Sequence, residues 1–245
     1  MTDNILEQGL AKLAPGDTDI NSAVKTLVRY IEEIELFNSA YGLVKVQNRR
    51  ELVVRHILDS LAPLSILRRL HGRPLIADVG SGAGLPGIPL AVCMPEAEFT
   101  LIERMGRRAG FLRNTAAVLG LSNVKVEEAE MEKIAPAGCF DIVVFRAFRP
   151  LEPLIFKGLS RLLADGGVLA AYKGRRQSLD EEMAGLINAP KKGAFPSIGG
   201  WEALPLEVPF LEEERHLVLI SAISGPSARQ PDGSGHNRNQ SRQSP

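Results

Sequence analysis

Between Ile20 and Phe37 apolar residues return every three or four positions, at Ile20, Val24, Leu27, Val28, Ile31, Ile34 and Phe37. That is the spacing of one helix face, and Asp17, Thr18 or Asp19 stands where a cap belongs. A second helical pattern runs from about Glu51 to Leu70, and Pro63 predicts a bend or break within it. No strand pattern precedes residue 74, so residues 1–73 read as an N-terminal helical lobe. From residue 74 short apolar runs alternate with helical stretches, the grammar of βαβ units in a parallel sheet. Strands are predicted at 75–79, 98–102, 123–127, 140–145 and 167–172, with helices at 86–93, 105–119, 150–163 and 177–187. Two later runs, 205–210 and 215–221, are joined only by Leu211-Glu212-Glu213-Glu214, a link that suits an antiparallel hairpin better than a crossover. Residues 188–200 read as a loop. Beyond residue 224 there is no Val, Leu, Ile or aromatic side chain, so 224–245 is expected to be a disordered tail. The expected fold is therefore α/β: a Rossmann-like, mostly parallel sheet over 74–223 that ends in an antiparallel hairpin and follows the helical lobe.

Leu75-Ile76-Ala77-Asp78-Val79 is followed at once by glycines at 80, 82 and 84, and a helix is expected from Pro86 or Gly87. Such a strand, turn and helix places a ligand at the carboxyl edge of the sheet, where glycines let it approach the backbone. Two ligand classes use such a loop. The dinucleotide fingerprint occurs as Gly82-Ala83-Gly84-Leu85-Pro86-Gly87, but it begins two residues late relative to the strand. In the frame Asp78-x-Gly80-x-Gly82-x-Gly84 an acid stands at the strand end, which repels a pyrophosphate and tolerates a sulfonium and an ammonium group. Charge thus favours S-adenosylmethionine. Glu103 ends the next strand, where a carboxylate accepts hydrogen bonds from a ribose diol in either cofactor class. The plainer alternative is glycines that only pack a turn and a solvated strand-end glutamate.

Composition narrows the class without deciding it. Lys plus Arg equals Asp plus Glu, 29 against 29, so any nucleic-acid footprint must be local. The first 36 residues carry three Lys/Arg against seven Asp/Glu, which points that end away from RNA. Residues 45–73 carry seven Lys/Arg against Glu51 and Asp59, and Arg104, Arg107, Arg108 and Arg113 follow without an intervening acid. Lys173, Arg175 and Arg176 follow the fifth strand, on the sheet edge of the glycine loop. The RNA-binding candidates are Arg49, Arg50, Arg107, Arg108, Lys173 and Arg175, with solvated faces as the alternative. Cys93 and Cys139 have no metal-ligand or disulfide-scaffold spacing, so buried reduced thiols and no metal are expected. Polar residues interrupt every apolar run near the start, so neither a signal peptide nor a membrane span is expected and the compartment is read as cytoplasmic.

The chain resembles the RsmG (GidB) family, which methylates N7 of a guanine in bacterial 16S ribosomal RNA. The resemblance covers roughly residues 30 to 221. It rests on Arg55-His56-Ile57-Leu58-Asp59-Ser60-Leu61, on Asp78 to Pro89, on Glu103 with Gly106 to Arg113, on Arg146-Ala147-Phe148, on Lys173-Gly174 and on Arg215-His216-Leu217. It implies a class I methyltransferase domain in which Gly80 and Leu85 line the cofactor, Glu103 holds its ribose, Met131 and Glu132 flank its adenine, and Arg146 lies at the mouth. With the loop itself, the expected S-adenosyl-L-methionine site is Asp78, Gly80, Gly82, Gly84, Leu85, Glu103, Met131, Glu132 and Arg146. The implied partner is 16S ribosomal RNA or the small ribosomal subunit, met by a monomer. The sequence departs from the family pattern at Gly42-Leu43-Val44-Lys45 and at Phe145, both of which bear on substrate approach.

Guanine N7 carries an in-plane lone pair and needs no deprotonation before it attacks a sulfonium methyl. No general base is required, and proximity with in-line alignment supplies the rate. Arg146 is accordingly read as a positioning residue. Helical spacing would bring Arg55 and His56 to Asp59 as a structural cluster, with direct RNA contact as the alternative. His216 is read as structural. The alternatives to an RNA methyltransferase are a same-fold enzyme acting on a small molecule or protein, and a noncatalytic module binding nucleotide or RNA.

Overall fold

The computed structural model describes residues 2–14, 18–147, 150–188 and 196–223; Asp17, Phe148 and the tail 224–245 lie outside the described residues. Helix α1 (Thr2–Leu13) was not expected from the pattern. Glu7 and Lys12, which interrupt its apolar run, lie on its exposed face, while Leu6 and Leu10 are fully buried. Gly9 packs directly on the Leu58 side chain, which a Cβ would meet at 2.5 Å. In α2 (Ile20–Tyr41) Asp19 caps the start by accepting from the Ser22 amide, and Gly42 closes the end at φ 57°. The face bearing Ala23, Leu27, Tyr30, Ile31 and Ile34 is buried.

The second predicted helix is four pieces. Helix α3 (Arg49–Leu52) runs into a π-helical segment (Val53–Leu58) and then α4 (Asp59–Leu61), and after the break at Pro63 comes α5 (Leu64–Leu70). The π turn overlaps the Arg-His-Ile-Leu-Asp motif at Arg55 to Leu58, and such turns are frequent at functional sites.

Seven strands form one sheet in the order β3-β2-β1-β4-β5-β7-β6, from β1 (Leu75–Val79), β2 (Glu98–Ile102), β3 (Val124–Glu127), β4 (Phe140–Arg146), β5 (Leu163–Lys173), β6 (Ser197–Leu206) and β7 (Arg215–Ile223). The first five are parallel, and β7 joins β5 and β6 antiparallel. The terminal hairpin is thus present, but its first strand lies earlier than the run at 205–210. Residues 197–200, expected in a loop, belong to β6. An edge strand interrupted by Gly199-Gly200 and a bulge between Ile198 and Gly200 gives little apolar alternation to read. Val208 to Leu211 instead make a turn, with Phe210 at φ 68°.

Period-two alternation divides the core between the sheet's faces. Ile76, Phe99, Leu101, Ile142, Val144 and Tyr172 face the buried side chains of α1 to α5, α6 (Gly87–Cys93) and α7 (Gly106–Leu119). Ala77, Val79, Val143, Phe145, Leu169 and Val218 face α8 (Pro153–Ser160) and α9 (Arg176–Asn188). The N-terminal helices therefore share a core with α6 and α7, which places α2 and α4 beside the carboxyl edge of the central strands. Cys93 is buried as expected, but Cys139 is only partly so.

Candidate active site

Strand β1 ends at Val79, and the loop after it is tied to the end of β2: the Gly80 and Ser81 amides both donate to the Ile102 carbonyl, at 2.9 and 3.2 Å. Gly82 takes φ 59° and faces open space, since a Cβ there would meet nothing nearer than the Gly80 oxygen at 3.8 Å. Gly84, at φ 94°, faces inward instead, where a Cβ would stand 2.5 Å from Ile88. One glycine therefore clears an approach to the backbone and the other clears the core.

Two adjoining hollows lie at this edge. The larger, a cleft of about 1110 Å³, is lined by Gly80, Gly82, Leu85 and Arg146 among others. The smaller, about 450 Å³, is lined by Gly80, Glu103, Met131 and Glu132. Gly80, Arg108 and Ala147 line both. Glu103 accepts from the Gly82 amide at 3.0 Å and the Met105 amide at 2.9 Å, so the acid of β2 also braces the glycine loop.

Asp78 and Gly84 line neither hollow. The Asp78 carboxylate turns into the protein and accepts from the Gly87 amide at 2.8 Å, while its Oδ1 is buried without a partner among the described residues. Burial pushes this carboxyl up to about 7 against the Gly87 hydrogen bond and the charge of Arg146. The Asp78 carboxylate thus seats the start of α6 behind the loop, off the wall of either hollow.

Arg146, at the end of β4, donates through Nη1 to Asp59 Oδ2 at 2.8 Å and to the His56 carbonyl at 3.3 Å. Arg215, at the start of β7, donates through Nε to Asp59 Oδ1 at 2.8 Å. Asp59 thus holds the Arg146 and Arg215 guanidiniums, where the Arg55 and His56 side chains were expected. Arg55 pairs with Glu51 at 3.5 Å and with Glu213. The π turn changes the angular spacing on which the expected cluster rested. His56 lines the cleft, and burial followed by the Arg146 charge pushes it down to about 4, so it is neutral at pH 7. His216, which also lines the cleft, hydrogen-bonds the Gly174 oxygen at 2.7 Å.

Of the RNA-binding candidates, Arg108 and Lys173 line the cleft. Lys173 is held by both oxygens of Glu182 at 2.7 Å, and Arg108 donates to the Gly42 carbonyl at 3.3 Å. Arg49 pairs with Glu35, Arg107 stands 5.7 Å from the Tyr41 ring centre, and Arg50 and Arg175 are exposed. These four lie outside the cleft wall.

Sequence reading missed Tyr30, whose buried hydroxyl donates to the Ala83 carbonyl at 2.7 Å, and Tyr172, which donates to the Ser60 carbonyl at 2.8 Å. It assigned no role to Arg215. It also missed Ala147, a non-glycine residue at φ 48° where the two hollows meet. Tyr30, Tyr172 and Arg215 sit in ordinary strand or helix patterns, and nothing local marks their targets. No cluster of three His, Cys, Asp or Glu able to hold a metal occurs among the described residues.

The loop geometry fits S-adenosylmethionine. Open space in front of Gly82 admits a ligand to the backbone, an acid stands on the smaller hollow, and a guanidinium stands on the larger. Fold and site together define a Rossmann-like S-adenosylmethionine-dependent methyltransferase. The fold is similar to that of a putative S-adenosyl-L-methionine-dependent methyltransferase from Methanococcus maripaludis, with TM-score 0.55 and 14% identity over 80% of this chain and 94% of that one. It is also similar to the tRNA (m1A58) methyltransferase of Aquifex aeolicus, with TM-score 0.51 and 16% identity over 69% of each chain. The family model described as rRNA small subunit methyltransferase G matches residues 23–192. The ribosomal RNA small subunit methyltransferase G of Treponema pallidum is 39% identical over 221 residues, 88% of this chain and 92% of its own length. That of Cellvibrio japonicus is 38% identical over 209 residues, 85% of this chain and 89% of its own. The chain belongs to the rRNA small subunit methyltransferase G (GidB) family.

Proposed function

We propose that this chain methylates N7 of a guanine in 16S ribosomal RNA, as free RNA or within the small subunit, acting as a cytoplasmic monomer. The observation that carries the RNA substrate is the charge of the cleft. Six Lys/Arg (Lys45, Arg55, Arg108, Arg146, Lys173 and Arg215) share its wall with the glycine loop, against three acids, Asp59, Glu181 and Glu182. Such an excess of cations beside a methyl-donor loop suits a phosphate-bearing substrate. Among the described residues no helix is long and apolar enough to cross a membrane. Exposed large apolar side chains such as Leu36, Met105 and Leu154 sit on separate elements, which supports a monomer.

In this reading residues 74–223 bind the cofactor and the lobe 1–73 braces the loop and walls the cleft. Gly80, Gly82 and Leu85 pass the backbone close to the cofactor, Glu103 accepts from its ribose, and Met131 and Glu132 flank its adenine. S-adenosylmethionine supplies an electrophilic methyl group on sulfur. Transfer to N7 would exchange the S–CH3 bond for an N7–CH3 bond and leave the positive charge on the guanine ring. No proton moves, which agrees with His56 on the cleft wall being neutral at pH 7. Arg146 orients at the mouth and transfers nothing. The enzyme's contribution is alignment, worth roughly 7–11 kcal/mol in well-oriented systems.

Borohydride and aniline cleavage of 16S ribosomal RNA maps N7-methylguanine directly. One strong stop is expected in RNA incubated with enzyme and cofactor, and none without enzyme. Methyl transfer to another molecule with no cleavage of this RNA would sink the reading.

A further inference from the structure

Asp59 stands on α4 at the wall of the cleft with 8% of its side chain exposed, between Arg146 at 13% and Arg215 at 23%. One carboxylate from the helical lobe thus fixes a guanidinium from β4 and another from β7, each at 2.8 Å. The group keeps one positive charge in excess. Arg215 is further held by donating Nη1 to the Glu214 carbonyl at 2.9 Å. Among the described residues nothing accepts from its Nη2. Elsewhere on the wall, Lys173 is engaged by Glu182 and Arg55 by Glu213. Arg215 is therefore a planar donor on the cleft wall, anchored through Nε and Nη1, with Nη2 unengaged among the described residues.

We propose that Arg215 selects guanine at the methylated position by donating to its O6, with Asp59 as the positioning residue that aims it. The inference rests on the N7 reading above. Attack through N7 requires the base to present that edge to the methyl donor, and on guanine the neighbouring group on this edge is the acceptor O6. Adenine presents an amino donor there, which faces the guanidinium donor to donor and leaves both unpaired. A lysine would bring the charge without the fixed fork. Arg146, nearer the donor loop, remains with the cofactor.

The test uses small subunits reconstituted with 16S ribosomal RNA carrying guanine, inosine or 2,6-diaminopurine at the mapped position. Inosine keeps O6, whereas diaminopurine replaces it with an amino group. Wild-type enzyme is expected to methylate guanine and inosine at comparable kcat/KM and diaminopurine about 10- to 100-fold less well. Arg215→Met should lower the guanine and inosine rates by about tenfold more than the diaminopurine rate, and keep cofactor affinity by calorimetry. Arg215→Lys, which keeps a cation beside Asp59, carries the same test if the methionine variant does not fold. Its preference for guanine should fall by about tenfold. Asp59→Asn should erode the preference in the same direction. Equal wild-type rates on guanine and diaminopurine would overturn the proposal, as would an undiminished preference in the Arg215 variants. Failure of wild-type enzyme on guanine itself would instead overturn the N7 reading.

Discussion

The hydroxyl of Tyr30 donates to the carbonyl of Ala83 at 2.7 Å, so a helix of the N-terminal lobe grips the middle of the cofactor loop. Tyr30 is fully buried, and burial raises its hydroxyl well above the ordinary value, which keeps it a donor. Tyr30→Phe leaves the Ala83 carbonyl unpaired at a cost of about 1–3 kcal/mol. Urea unfolding should show that loss, and calorimetry should show weaker cofactor binding. Cofactor affinity equal to wild type would mean that the loop holds its shape without the lobe.

The glycines at 82 and 84 should fail in different ways. Gly82→Val puts a branched side chain into open space at φ 59°, where the cofactor must approach, so binding should be lost. Gly84→Ala drives a methyl group toward Ile88 and Leu112 at φ 94°, so thermal stability should fall, by about 1–3 kcal/mol. Calorimetry and thermal melts on both variants separate the two effects.

Removing the Asp59 carboxylate leaves two guanidiniums facing each other in a largely buried site. Asp59→Ala is expected to cost about 3–5 kcal/mol of folding stability. Arg55→Ala should cost under about 1 kcal/mol, because its ion pairs are solvent-exposed. Paired chemical denaturation curves check the contrast.

Asp78 and His56 give opposing pH dependences. Native Asp78 keeps its proton up to about 7, while its ordinary value is 3.8, so this group lowers stability as pH rises between those values. His56 titrates near 4 in the native state against 6.5 ordinarily, so it raises stability over that interval. Arg146 and Glu103 act on the first, and Arg146, Asp59, Glu51 and Arg55 on the second. Over pH 4 to 6.5 the two slopes largely cancel. In Asp78→Asn the histidine slope should emerge alone, and stability should climb across that range more steeply than in wild type. A profile unchanged from wild type would place the Asp78 titration elsewhere.

Charge reversal at Arg107 should reduce the salt slope of RNA binding by about one unit if it meets a phosphate. Cofactor affinity should be unaffected, since Arg107 lies outside both hollows. A slope equal to wild type removes α7 from the RNA footprint.

What the chain order alone determined was whatever depends on near neighbours. The alternation of strands and helices from residue 74, a helix cap among Asp17, Thr18 and Asp19, the break at Pro63 and the glycine turn all follow from periodicity and local backbone chemistry. Glu103 was legible for the same reason, as the acid at the end of the next strand. Tertiary structure decided the rest. Tyr30 meets Ala83 across 53 positions, Arg146 meets Asp59 across 87, and Arg215 meets Asp59 across 156. Such pairings arise only when the lobe packs on the sheet, and no local pattern encodes which distant group a side chain will reach. Asp78 shows the limit most clearly. Its position at the strand end was plain from sequence, but the direction of its carboxylate, inward to the Gly87 amide, was set by the packing of α6 against β1 and β2.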